Sequence, residues 1–286
     1  MSRSLPPPAG SARVLISHND GVATLTMNRA RSLNGWTTEM RADLERAFAE
    51  VAADPEIRAA VLTGTGRYYC AGVNLGGALQ LGHPRALHEL IRVNNQALFD
   101  LFIDFPKPLV AAINGHAIGA AVTTATLCDA VVAAPMATFS TPFAALGVPA
   151  EGCSSLVFPR LMGAAAAERM LGAEGWQPTA TEAAAAGLID QVVPAEDLLP
   201  VAHQIAAELG AGFAAGDGQR RFRGPSVYAE LKAANAAESV LVADAFLSAP
   251  FLKAQMAFLW RKRKRVPAAL FGALWATRPA WGRMLR

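Results

Sequence analysis

Apolar positions along this 286-residue chain follow two periods. Short apolar runs at 14–18, 22–27, 59–63, 109–113, 130–134 and 189–193 read as strands, several of them buried on both faces. Between the first two, Asn19-Asp20-Gly21 is a hairpin signal. Longer stretches place apolar residues every three or four positions. In 37–53 these are Met40, Leu44, Ala47, Phe48 and Val51, with Thr37 or Thr38 available to cap the helix. The same spacing predicts helices over 85–105, 119–128, 154–162, 164–171, 181–187, 196–209, 226–236 and 251–265. Pro106-Lys107-Pro108 stops the second of the longer helices.

Strands alternating with helices predict an α/β layer followed by a helical region. The expected division is a loose arm over 1–12, a core over 13–210 and a C-terminal helical region over 211–286. The small-residue run GAGFAAGDG at 210–218 is read as the connection between the last two.

Composition narrows the class. The chain is 52% hydrophobic and only 17% charged, which favours a large buried core over disorder. A net charge of +3 suits an anionic small molecule and does not call for nucleic acid. Cys70, Cys128 and Cys153 form no CxxC pair and no metal-ligand cluster, so they read as reduced thiols of a cytoplasmic protein. The start, MSRSLPPPAGSA, lacks an apolar secretory core. No uncharged apolar run reaches the roughly 18 residues of a membrane span.

Candidate chemistry lies in three places. VLTGTGRYYCAGVNL (61–75) and LVAAINGHAIGAAVTTATLCD (109–129) share one order: buried strand, small-residue loop, then helix or apolar segment. Small residues let backbone N–H groups approach a ligand, and two such loops converging on one oxygen form an oxyanion hole. Two ordinary strand-to-helix turns have the same pattern. The third place is Glu151. From Pro108 to Pro159 the only formally charged side chains are Asp129 and Glu151. A carboxyl among apolar neighbours has a raised proton affinity and serves as a base. Glu151 also stands just before Gly152-Cys153-Ser154, where the residues alone favour a cap of the following helix, a role that does not exclude the other.

YYCAGVNL, KPLVAAINGHAIGAA and ATFSTPFAALGVPAEGCSSLVFPRLMG, in this order, resemble the enoyl-CoA hydratase/isomerase (crotonase) superfamily. The resemblance covers about residues 14–200 and implies a crotonase-like spiral of ββα units with a C-terminal helical trimerisation region. It implies an acyl-CoA thioester as substrate, coenzyme A entering only as part of it with no other cofactor or metal, and a homotrimer or dimer of trimers. The oxyanion donors it implies are the N–H groups of Val73 and Ala120. Ala71, Gly72, Asn74, Leu75 and Phe143 then line the substrate site. Arg29, Arg31 and Leu33, in MNRARSLN, match the loop that contacts coenzyme A. The two arginines are read equally as solvated.

Two departures direct the functional reading. The positions that carry the two glutamates of hydratases hold Thr123 and Phe143. Phenylalanine transfers no proton and a threonine hydroxyl is a poor acid and base. Glu151, before Gly-Cys-Ser, resembles the base of the Δ3,Δ2-enoyl-CoA isomerase branch. The expectation is therefore a double-bond isomerase with one glutamate shuttling the proton. A hydratase or thioester hydrolase of the same superfamily and a noncatalytic acyl-CoA scaffold are the alternatives. Asp129 is read as structural, His116 as a turn residue on a pocket wall, and Cys70 and Cys153 as apolar fillers. The run Arg261-Lys262-Arg263-Lys264-Arg265 is read as a solvated helix end, with a coenzyme A phosphate contact as the alternative. The tail 266–286 is expected to pack on a neighbouring subunit, with contact to a membrane surface as the alternative.

Overall fold

A computed structural model of the chain describes residues 12–73, 82–214, 221 and 224–285. Strands β1 (Val14–Asn19) and β2 (Val22–Met27) form an antiparallel hairpin. Its two-residue turn is Asp20-Gly21, both with positive φ, as the twist of a tight hairpin requires. Helix α1 (Thr38–Ala53) follows, and the Thr37 hydroxyl accepts from the Met40 N–H as its cap.

Three further turns of the chain repeat the strand–strand–helix order. They are β3 (Ala59–Gly64), β4 (Tyr68–Cys70) and α2 (Pro84–Ile103); then β5 (Leu109–Ile113), β6 (His116–Ile118) and α3 (Ala120–Thr126); then β7 (Ala130–Ala133), β8 (Phe139–Ser140) and α4 (Phe143–Leu146). The first strand of each turn joins one sheet of order β1-β2-β3-β5-β7-β9, with β9 at Gln191–Val192. The second strand joins a small parallel sheet of order β4-β6-β8. This is the expected spiral of ββα units.

The large sheet is covered on both sides, so its central strands need no polar face. Ala60, Leu62, Ala111, Ile113 and Val131 face the main core with α1 and α2. Ala59, Val61, Val110, Ala112 and Val132 face α7 (Leu198–Ala214), which presents Leu198, Ala202 and Ala206 at helical spacing. Before it come α5 (Ser154–Leu171) and α6 (Ala180–Ala186). Helix α5 breaks at Gly163, where φ is 78° and ψ is 158°, in keeping with the two short helices expected there.

Two expectations change. The 210–218 connection is helical as far as Ala214, because α7 continues through it; 215–218 lie outside the described residues. The last helices are also more numerous than the pattern predicts, and the helix expected over 251–265 ends at Arg261. Helix α8 (Pro225–Phe246) runs ten residues past 236. Helices α9 (Ala249–Arg261) and α10 (Arg265–Trp281) follow. The tail packs on its own chain, burying Ala268, Phe271 and Leu274 against Phe251, Leu252 and Leu259 of α9 and Leu87 of α2. Among the described residues no single helix is long and apolar enough to cross a membrane.

Candidate active site

Parallel pairing of β4, β6 and β8 brings the carboxyl ends of three short strands side by side, from three successive turns of the spiral. The segments leaving those ends, 71–73, 118–120 and 142–143, line one cavity of about 600 Å³. The start of α1, the middle of α2 and the end of α8 complete its walls, with Glu151 among them.

The first two segments touch. Gly72 has φ +77°, and a Cβ built on it would lie 2.5 Å from the Ile118 carbonyl oxygen and 3.7 Å from the Ala120 nitrogen. Only glycine permits that approach. The segments are also fixed from behind. The Ala71 N–H donates to the Leu33 carbonyl (2.9 Å), the Trp36 N–H to the Gly72 carbonyl (2.9 Å) and the Gly119 N–H to the Ser140 carbonyl (2.7 Å). The Val73 and Ala120 N–H groups have no acceptor among the described residues. Two free donors beside a cavity suit an oxygen that gains negative charge.

Glu151 is 8% exposed, and its carboxyl takes part in no hydrogen bond or ion pair among the described residues. Burial raises its pKa from an ordinary 4.5 to about 8, and the nearby Glu238 carboxylate adds to the rise. A tight turn presents it. Gly152 and Cys153 both adopt positive φ, and the Glu151 carbonyl accepts from the Ser154 N–H (3.3 Å) and hydroxyl (2.8 Å). The expected helix cap is thus corrected: the Glu151 side chain does not cap α5. That role falls to Glu238 of α8, whose carboxylate accepts from the N–H groups of Cys153 (2.6 Å) and Ser155 (3.0 Å).

Thr123 and Phe143, which the resemblance matches to the hydratase glutamates, both lie near the cavity. Thr123 is fully buried and donates its hydroxyl to the Ala120 carbonyl (3.3 Å). It packs behind Gly152, where an added Cβ would meet the Thr123 Oγ1 at 2.6 Å and Phe99 at 2.4 Å. Phe143 is buried on the cavity wall beside Gly119.

The fold gathers Ala71, Gly72, Val73, Ala120, Phe143 and Glu151 around one cavity. Asn74 and Leu75 lie outside the described residues. Arg29, Arg31 and Leu33 do not line the cavity; Arg31 and Leu33 are exposed and Arg29 is half-buried on the adjoining loop. His116 starts β6, outside the cavity, with its Nδ1 2.8 Å from the Thr138 hydroxyl. Asp129 accepts from the Leu109 N–H at 2.8 Å, a structural contact. The three thiols are buried and form no disulfide among the described residues, and burial pushes Cys70 up to about 12 and Cys153 higher still, which keeps both protonated. The run 261–265 is exposed at the α9–α10 junction, where Arg265 covers the Trp260 ring.

Two contributors escaped the sequence reading. Asn34 donates to the Thr65 (2.9 Å), Tyr68 (2.8 Å) and Tyr69 (3.2 Å) carbonyls and so holds the approach to Ala71. Glu238 is the other, 4% exposed in the middle of a helix. An Asn after Leu in a loop and a Glu in a helix are common patterns, and neither signals burial.

A family model described as enoyl-CoA hydratase/isomerase matches residues 17–249. The chain is 40% identical over 188 residues to enoyl-CoA delta isomerase 2 of Homo sapiens, covering 65% of this chain and 47% of that protein. It is 38% identical over 187 residues to peroxisomal enoyl-CoA delta isomerase 3 of Mus musculus, covering 64% and 58% respectively. These matches span only about half the length of the curated isomerases. A crystal structure of an enoyl-CoA hydratase/isomerase from Pseudoalteromonas atlantica T6c superposes with a TM-score of 0.72 at 27% identity, over 87% of this chain and 97% of that one.

Proposed function

The chain belongs to the enoyl-CoA hydratase/isomerase family, and from that premise we propose that it moves the double bond of an enoyl-CoA thioester from C3 to C2 with Glu151 as the only proton carrier. Ionised Glu151 takes a proton from C2. The electron pair enters the thioester, giving an enolate whose oxygen lies between the Val73 and Ala120 N–H groups. The same carboxyl returns the proton at C4, and the double bond closes between C2 and C3. No water is consumed, and each proton removed is returned. Loss of one such donor costs about 3–4 kcal/mol of transition-state stabilisation in other enzymes.

The observation that carries this reading is a buried carboxyl sharing a cavity with two amide donors, none of them with a partner among the described residues, while Thr123 and Phe143 stand where the resemblance places the hydratase acids. A dry setting also keeps the proton on the carboxyl between the two transfers. The substrate supplies coenzyme A, and no further cofactor enters the scheme. The isomerase relatives support the choice of reaction. The family supports assembly as a homotrimer or dimer of trimers, which sedimentation tests. Three buried cysteines that form no disulfide among the described residues support a reducing, cytoplasmic setting.

The test follows 3-hexenoyl-CoA and 2-hexenoyl-CoA by absorbance of the conjugated thioester. The expected result is conversion of the first and little water addition to the second. Glu151→Gln is expected to lower turnover by about a thousandfold while acyl-CoA still binds. Release of free coenzyme A would make the protein a hydrolase. Efficient hydration of the 2-enoyl thioester would make it a hydratase, and binding without turnover a scaffold.

A further inference from the structure

On the reading that Glu151 is the base, we propose that Glu238 is its positioning residue: it clamps the turn that carries the base and confronts it with a second carboxylate. Glu238 lies 87 positions further along the chain, on α8, and reaches back to the first turn of α5. Its Oε2 accepts from the Cys153 N–H at 2.6 Å. Its Oε1 accepts from the Ser155 N–H at 3.0 Å and from the Ser155 hydroxyl at 2.5 Å. The consecutive positive-φ residues Gly152 and Cys153 turn the backbone so that these donors meet one carboxylate.

Helix α8 grips the turn a second time, since the Cys153 Sγ–H donates to the Leu231 carbonyl at 3.2 Å. It is itself tied to α2. The Asn235 amide donates to the Gln96 carbonyl and to Asp100, both at 2.9 Å, and Lys232 pairs with Asp100 at 2.8 Å. Phe99 of α2 closes the other side of the turn against Gly152. The Glu151 backbone is therefore held between two helices that are fastened to each other.

A neutral side chain can cap a helix. A buried carboxylate adds a charge, and its desolvation is costly. What the charge brings here is order between two acids. Burial raises the Glu238 pKa as well, but three donors favour its ionised form, whereas the Glu151 carboxyl has none among the described residues. Glu238 ionises first, and its charge makes Glu151 hold its proton more firmly; the pair titrates in two coupled steps. The charges around them are few. On α2 and α8, Asp100, Asp104 and Lys232 form a mutually paired cluster. From α1, Glu39 and Arg41 reach the cavity wall, and the Cys153 thiol stays neutral. A base with high proton affinity takes a proton from carbon more readily, provided that it is aimed.

The test compares pH profiles of 3-hexenoyl-CoA isomerisation for the wild type, Glu238→Gln, Ser155→Ala and Glu151→Gln, each checked for folding by circular dichroism. In Glu238→Gln the acid limb of kcat/KM should move to lower pH by about half a unit or more. Its plateau kcat should fall about tenfold or more through misplacement of the base. Ser155→Ala removes one donor to Glu238 and should move the limb the same way by less. If folded Glu238→Gln keeps the wild-type limb, the proposal is overturned, even where kcat falls. Should Glu238→Gln not fold, an unmoved limb in Ser155→Ala overturns it. Full activity of Glu151→Gln would remove the underlying reading instead, so the two failures are told apart.

Discussion

Replacing Glu151 by glutamine should make the protein more stable, and the gain should depend on pH. The fold holds this carboxyl at a pKa of about 8 against an ordinary 4.5. Between those values folding takes up a proton that the unfolded chain has released. Because the folded value is the higher one, the carboxyl costs nothing below about pH 4.5; its cost grows as pH rises and levels off above about 8. Each pH unit of separation is worth about 1.4 kcal/mol. The whole interval amounts to about 5 kcal/mol, and the part reached at pH 7 to about 3. Glutamine has nearly the same shape and stays neutral throughout. In urea unfolding at equal protein concentration, Glu151→Gln should match the wild type near pH 4.5. It should exceed it by about 3 kcal/mol near pH 7 and by more near pH 9, while being inactive. A difference that stays flat across this range would refute the reasoning, because it would mean that the carboxyl is already solvated or ionised in the fold.

Wild-type kcat/KM should fall tenfold per pH unit below a midpoint near 8, since only ionised Glu151 accepts a proton; a pH-independent rate from 6 to 9 would contradict this. Gly72→Ala meets both a positive φ and the Ile118 carbonyl at 2.5 Å, so it should cost about 2 kcal/mol or more in denaturant titration and abolish most turnover. Thr123→Glu, the apparent route to a hydratase, should instead lower the melting temperature sharply. Position 123 is fully buried behind Gly152 and leaves no room for a carboxylate. A folded, hydrating Thr123→Glu would disprove that packing argument.

Much of this architecture can be read from one dimension. The strands 59–63, 109–113 and 130–134 are apolar apart from Thr63, because both faces of the large sheet are covered. Glu151 was conspicuous because a long neutral stretch surrounds it. The small sheet was not legible, since β4, β6 and β8 have three, three and two residues, too few for a period. Helix α8 was read short because past position 236 its faces meet both α2 and the C-terminal helices, and a two-sided contact blurs the amphipathic stripe. Glu238 was invisible for a related reason. A glutamate in a helix normally faces water, and only the long-range return of α8 onto α5 buries this one.

The contact between Gly72 and the Ile118 carbonyl works as a fixed gauge. It sets how far apart the two amides stand, and no side chain can adjust it. Chemical novelty on such a frame has to come from elsewhere, by relocating the acid around the rim. On the proposed mechanism, the placing of the acid among positions 123, 143 and 151 decides whether water takes part. On that proposal the anion cradle is the rigid part of the site, and the proton carrier is the part that can be moved.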